Sequence, residues 1–486
     1  MRIKQTYLLV IILVLATLYF YQDPQSNGNS RLDATKSIVE HGSFQIDAYL
    51  SQQSWASIDK AFYNNHYYTD KAIGTSLFAV PLYWLLYKLA TSAGIILASD
   101  FVKHFLTFLV IGTSFVINGI ILYKIALLIS QNSWKAFIAT LAISLGTMLW
   151  PYSEVYYGHV PAAMFLTIAF YLLFSMKRPP ETISTAKFFG TGLALGFAFI
   201  TDYTTSLILV GLIIYAVYIL RKQKLHALLR YGFIGAIGAL IPLSLMFAYN
   251  FSVYGTILTI SYSHEAVQGP SLGILAILNL PNLTDLSVLY HITFDPKFGL
   301  FWQSPVLVLA TVGYFVALKA KVFRAEGLLS LYSILSIALM NTGIFEWWGG
   351  SAFGPRYLIV ALPFFIIPLM LVPDTFIWLM GGLTIVSAAQ MLIPLMGKIQ
   401  VGLDFDAAKD QFSVNGPFTG FSILYNYGLP IIIKLRNKGT TPWTLGHALG
   451  ISFYRSPFVL IAVEAFLISI FYRKTKAKQF QSSKNV

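Results

Sequence analysis

The chain has 486 residues, 56% of them hydrophobic and 11% charged, and a mean hydropathy of +0.67. Soluble domains carry about 25% charged residues, so this composition excludes an ordinary soluble protein and indicates an integral membrane protein. The formal charge of +13 is not gathered into a basic block among polar helices, which argues against nucleic acid; the absence of cysteine excludes disulfides and thiolate chemistry.

The chain opens with Arg2 and Lys4 before the apolar run Tyr7 to Tyr21, with no small-residue cleavage pattern ahead of Asp23-Pro24. We read it as an uncleaved first span with a cytoplasmic N-terminus. The segment 22–103 is an outer loop with a helix from Arg31 to His41, stopped by Gly42, and then a mixed stretch. Thr75–Ile96 could be a span or an interfacial helix. Pro81, Tyr83, Trp84, Tyr87 and Lys88 favour the interface, where rings and snorkelling amines settle. The second span is then His104–Tyr123. Further spans are expected at 136–150, 159–176, 188–201, 203–220, 231–250, 301–318, 327–344, 357–372, 376–396 and 456–472. The expected fold is therefore an all-α membrane bundle of about twelve spans, with juxtamembrane helices in its first outer loop and both termini inside.

Charge supports this orientation. The short cytoplasmic segments take 19 of the 33 lysines and arginines, although they hold far fewer residues than the outer loops. Such a bias is what the positive-inside rule demands.

The unusual residues then collect on the outer face. Asn29, Arg31, Asp33, Asp59, His66, Asp70 and Lys71 lie in the first loop, and Glu154, Gly158 and His159 in the second. Asn250, Asp295, Lys297, Glu346, Trp347, Trp348 and Arg356 belong to later ones. Acids, bases and rings above a bundle suit a sugar bound beside a phosphate: carboxylates take protons or hydroxyls, cations hold phosphate, and rings stack on the sugar. Each also has a plainer reading. Asp70-Lys71 could anchor a helix, Arg356 could snorkel, Glu154 and Asp33 could be solvated, and Asp202 could cap the following span. Glu464, within the last span, calls for a partner that the sequence does not name. No Walker, Rossmann or HExxH pattern is present.

Taken in order, these motifs resemble the GT-C superfamily of membrane glycosyltransferases, near the branch of protein O-mannosyltransferases and aminoarabinose transferases. The resemblance rests on Asn29-Ser-Arg31, Glu40-His-Gly42, His66-Tyr-Tyr-Thr-Asp70-Lys71-Ala-Ile-Gly74, Tyr152 to His159, Asp295-Pro-Lys-Phe-Gly and Trp348-Gly-Gly-Ser-Ala-Phe-Gly-Pro-Arg356-Tyr357. It covers residues 1–375, the expected catalytic module, and leaves 376–486, with outer loop 397–455, as a C-terminal unit. It implies an inverting transfer of a sugar from a polyprenyl phosphate to a glycan, lipid or protein acceptor on the periplasmic face of a bacterial-type inner membrane. By the resemblance, Lys71 is expected to bind the donor phosphate, with Arg356 the second candidate; Arg31, His159 and Tyr357 are further candidates for phosphate or donor binding, and Asn29, Tyr68 and Trp348 for contact with sugar or acceptor. Many relatives carry an acidic pair just before the arginine that matches Arg31, where this chain has Gly28 and Asn29. The catalytic base is thus left open among Asp33, Asp59, Asp70 and Glu154. No cofactor is required; a divalent cation is compatible with acids beside a phosphate, but no ligand set demands one. The alternative is a flippase or transporter of lipid-linked sugars, or a non-catalytic envelope-assembly protein.

Overall fold

The computed structural model describes residues 2–177, 183–266, 286–296, 298–321, 323–344, 347–350, 353–396, 444–452 and 455–484. Lys297, Glu346 and nearly all of the expected outer loop 397–455 lie outside the described residues. Each of the twelve expected spans is a helix. Seven helices are long and apolar enough to cross a membrane, among them Ser99–Ile129, His159–Met176, Tyr203–Leu220 and Leu225–Tyr254. Four shorter apolar helices, Gln5–Leu18, Thr185–Thr201, Pro305–Lys319 and Arg356–Leu371, fill further expected positions. The last, Ser133–Ser144, has 12 residues and is buried along most of its length. At about 1.5 Å per residue such pieces fall short of the hydrocarbon thickness. The protein is an all-α integral membrane protein.

The boundaries move in informative ways. Leu225–Tyr254 runs for 30 residues, so the connection expected between spans 203–220 and 231–250 contracts to Arg221–Lys224 and its remainder winds into the helix. Gly74–Ser92 forms a 19-residue helix that leaves Trp84, Leu85 and Leu89 exposed, and it is not among the seven apolar crossers. The first-loop helix spans Gln25–His41, beginning earlier than expected, and ends at Gly42 with φ +64°. That left-handed cap suits glycine, which has no Cβ to clash.

One element departs from the sequence reading. Ala61–Tyr63 and His66–Tyr68 pair as an antiparallel hairpin, with Ala61 opposite Tyr68. Its two-residue turn is Asn64-Asn65, at φ 48° and 61°. Asparagine tolerates this conformation, and turns of this twist match the twist of paired strands. The chain then leaves the hairpin straight into Asp70-Lys71. On the free edge, Ala61 forms a bridge with Glu265 and the Ala266 amide donates to the Lys60 carbonyl at 2.9 Å. These contacts fold the loop after Gly255 down over the first loop.

Two glycines bring the ends of separate helices together. A Cβ on Gly74 would lie 2.7 Å from the Ile200 carbonyl oxygen, and one on Gly158 would lie 2.4 Å from that of Thr201. Larger residues cannot approach the end of Thr185–Thr201 so closely. The Asp202 turn therefore sits against both the Asp70 segment and the start of His159–Met176.

Candidate functional site

The first-loop helix presents two stripes. Residues four apart share a face, while residues two apart do not, so Asn27, Arg31 and Thr35 point one way and Asn29 and Asp33 another. On the first stripe, Arg31 Nη1 donates to the Ala72 carbonyl at 3.1 Å and Nε to Asn27 Oδ1 at 3.3 Å. Thr35 Oγ1 donates to the Ser76 carbonyl at 3.0 Å. This stripe therefore fixes the segment that carries Asp70 and Lys71.

Asp70 and Lys71 are buried together. Lys71 Nζ donates to Asp70 Oδ2 at 2.7 Å and lies 3.4 Å from Asp59 Oδ1. Ser30 Oγ donates to Asp70 Oδ1 at 3.4 Å. Burial works against the ammonium, but the Asp70 and Asp59 carboxylates outweigh it and raise Lys71 above its ordinary value. Burial also raises the Asp70 carboxyl, against the pull of Lys71. Lys71 is thus already matched by two carboxylates.

Unmatched positive charge sits close by. Arg356 lies over the Tyr157 ring at 5.3 Å and the Tyr357 ring at 5.4 Å, and no carboxylate among the described residues pairs with it. Its loop approaches closely: Gly349 and Gly354 take φ +82° and +63°, and a Cβ on Gly349 would lie 2.8 Å from Arg356 Nε. The charges of Arg356, Asp59, Lys71 and Arg31 all bear on Tyr157; its hydroxyl is raised first by burial. Tyr262, brought in by the strap along the hairpin edge, interacts with Lys71, Arg31, Asp70 and Asp202. Arg31, Lys71, Arg356 and Asp59 thus share one neighbourhood above the bundle.

His159 and Asp202 complete it. His159 Nδ1 lies 2.5 Å from Asp202 Oδ2, while Asp202 Oδ1 accepts from the Thr204 amide at 3.0 Å and hydroxyl at 2.7 Å. The capping role expected of Asp202 is real, and one of its oxygens still serves the histidine. The imidazole meets Tyr152, Tyr157 and Tyr357 edge-on at ring separations of 6.3, 6.0 and 6.1 Å.

Other candidates stand apart. Asp33, read as solvated on one face, is 0% exposed, and neither carboxylate oxygen has a hydrogen-bond partner among the described residues. It lies near Lys36, Lys103 and Glu40 on the second stripe; burial raises its carboxyl well above the ordinary range, with the two lysines opposing. The folded chain therefore keeps this proton to higher pH than the unfolded chain, which releases it in the ordinary carboxylate range. Stability from this group is full below the unfolded carboxylate range and is lost as pH rises toward the raised value. Asp33→Asn should raise the thermal midpoint at pH 7, by about 1–3 kcal/mol in stability, with the gain vanishing near pH 4. A midpoint that is unchanged across a pH series of melts would contradict this placement.

Glu154, also read as solvated, is buried with Oε1 unpartnered, and its carboxyl is raised by burial alone, with no charged neighbour offsetting it. Asn29 Nδ2 donates to the carbonyls of Ser54 and Ala56 at 3.4 and 3.1 Å. At Gly28 a Cβ would sit 3.3 Å from that of Tyr156 and 2.2 Å from that of Pro24, so this position has no room for a side chain. Tyr68 packs at 6.3 Å from the Tyr254 ring, and Trp348 meets Trp347 at 5.7 Å, which itself stacks on His291. No group of three or more metal-binding side chains occurs among the described residues. Reading the sequence did not place Tyr157 or Tyr262 at the site, and a lone loop tyrosine carries no signal that would have done so.

No family model matches the chain, and no curated protein matches it. Among solved structures it is similar to ArnT from Cupriavidus metallidurans, both bound to undecaprenyl phosphate and in the apo state. Sequence identity is 14% and TM-scores are 0.47 and 0.48, with 97% of this chain and 75% of the other covered.

Proposed function

We propose that the protein is an inverting membrane glycosyltransferase that moves a sugar from a polyprenyl phosphate to a hydroxyl-bearing acceptor at the outer face. The observation that carries this reading is the pair of guanidinium groups, Arg31 and Arg356, that lack carboxylate partners among the described residues yet flank the Lys71 ion pair. Guanidinium groups in fixed, poorly hydrated surroundings suit a phosphate. In the reaction the acceptor oxygen bonds to the anomeric carbon and the bond from that carbon to the phosphate oxygen breaks. The electron pair stays with the lipid phosphate, the acceptor loses its proton, and the arginines and Lys71 meet the growing negative charge. Tyr157, Tyr262 and Tyr357 supply ring faces and hydroxyls for the sugar.

The test uses full-length protein in lipid nanodiscs or vesicles, given undecaprenyl phosphate-linked radiolabelled hexose or pentose. Release of undecaprenyl phosphate together with transfer of label is the expected result. Movement of intact lipid-linked sugar between vesicle leaflets, with no bond cleavage, would establish a transporter instead.

A further inference from the structure

We propose that the proton acceptor of this site is His159, oriented by Asp202, and not one of the loop carboxylates. This rests on the transferase reading. The four acids that could serve as base are each otherwise placed: Asp70 and Asp59 lie 2.7 and 3.4 Å from Lys71. Asp33 and Glu154 are buried away from the Arg31–Lys71–Arg356 group. His159 differs from the first two in carrying no lysine and from the last two in lying within the field of Arg31 and Arg356. Its Nδ1 is committed to Asp202, so in the neutral ring the proton resides on Nδ1 and the lone pair on Nε2. Nε2 makes no hydrogen bond to the described residues.

The direction of that lone pair is fixed. Asp202 is itself held by two bonds from Thr204, and the three tyrosine rings close around the imidazole. With side-chain exposures of 10% and 9%, the pair is largely shielded from water. An acid that fixes a histidine tautomer and then stabilises the imidazolium is a recurring way to make a strong general base. Here the acceptor hydroxyl gives its proton to Nε2 as its oxygen bonds to the anomeric carbon. The leaving phosphate keeps the electron pair and faces Arg356 and Arg31, both electrostatically coupled to His159. In this arrangement His159 is catalytic and Asp202 is a positioning residue.

The experiment measures donor turnover and ring tautomer together in the full-length protein. His159→Gln should lower kcat at least a hundredfold while undecaprenyl phosphate binding stays within about threefold. Asp202→Asn should lower kcat with KM little changed. In 15N-histidine-labelled protein the same change should move the His159 proton from Nδ1 to Nε2. Imidazole added to His159→Gly should restore part of the rate. Turnover of His159→Gln within threefold of wild type, or a loss confined to lipid binding, overturns the proposal, as does a hundredfold loss in Asp59→Asn with His159→Gln active. An unshifted tautomer in Asp202→Asn removes Asp202 from the role. Wild-type protein that consumes no donor sinks the transferase reading and this one together, whereas normal wild-type turnover beside an active His159→Gln sinks this one alone.

Discussion

Lys71→Met should destabilise the protein by about 3–5 kcal/mol, because it leaves the Asp70 carboxylate buried without its cation. Asp70 is 3% exposed, and beyond Lys71 its carboxylate accepts a 3.4 Å bond from Ser30. Asp59, with a side chain 30% exposed, can turn to water and should cost little. The effect should therefore be repaired by a second change, Asp70→Leu, which removes the stranded charge and restores a shape-matched apolar contact. Chemical unfolding of the single and double variants in bicelles measures both. A single variant as stable as wild type would mean that the pair is solvated. Donor turnover should fall in both variants, since repairing the packing does not return the ammonium.

Arg356→Gln should slow release of the lipid phosphate by about 10²–10³-fold, the usual effect of removing a donor aimed at developing charge. Stability should change far less, because Arg356 has no carboxylate among the described residues to strand and its loop is shaped by Gly349 and Gly354. Arg356→Lys should recover part of the rate, as lysine keeps the charge but loses the planar fork and its stacking on Tyr157 and Tyr357. Turnover unaffected by the glutamine would place the phosphate elsewhere. Lys71 is matched by two carboxylates in the resting protein, whereas Arg356 has no carboxylate partner among the described residues.

Much of this was readable in advance where the signal was local. A helix such as His159–Met176 or Tyr203–Leu220 keeps its expected bounds because hydropathy is a property of consecutive residues and the bilayer sets its length. The hairpin around Asn64-Asn65 was not read, because the turn lacks the glycine of the strongest hairpin signals and its flanks are only three residues each. Asp33 and Arg31 were adjacent candidates in the sequence; their two-residue spacing on a helix sends them to opposite sides, so one meets the Asp70 segment and the other a sealed pocket with Lys36 and Lys103.

By itself the sequence determined the medium, the helices and the crowding of acids, bases and rings into the loops assigned to the outer face, because apolarity and helix length are written in neighbouring residues. Only the tertiary structure decided which of those groups meet. His159 and Asp202 are separated by 43 positions, and Arg356 and Tyr157 by 199. Such pairings depend on how closely backbones can pass, as at Gly74 and Gly158, and on which face of a helix turns inward. Burial then sets their chemistry: the same carboxyl is a solvated acid on an open loop and a proton-holding one once its oxygens are enclosed.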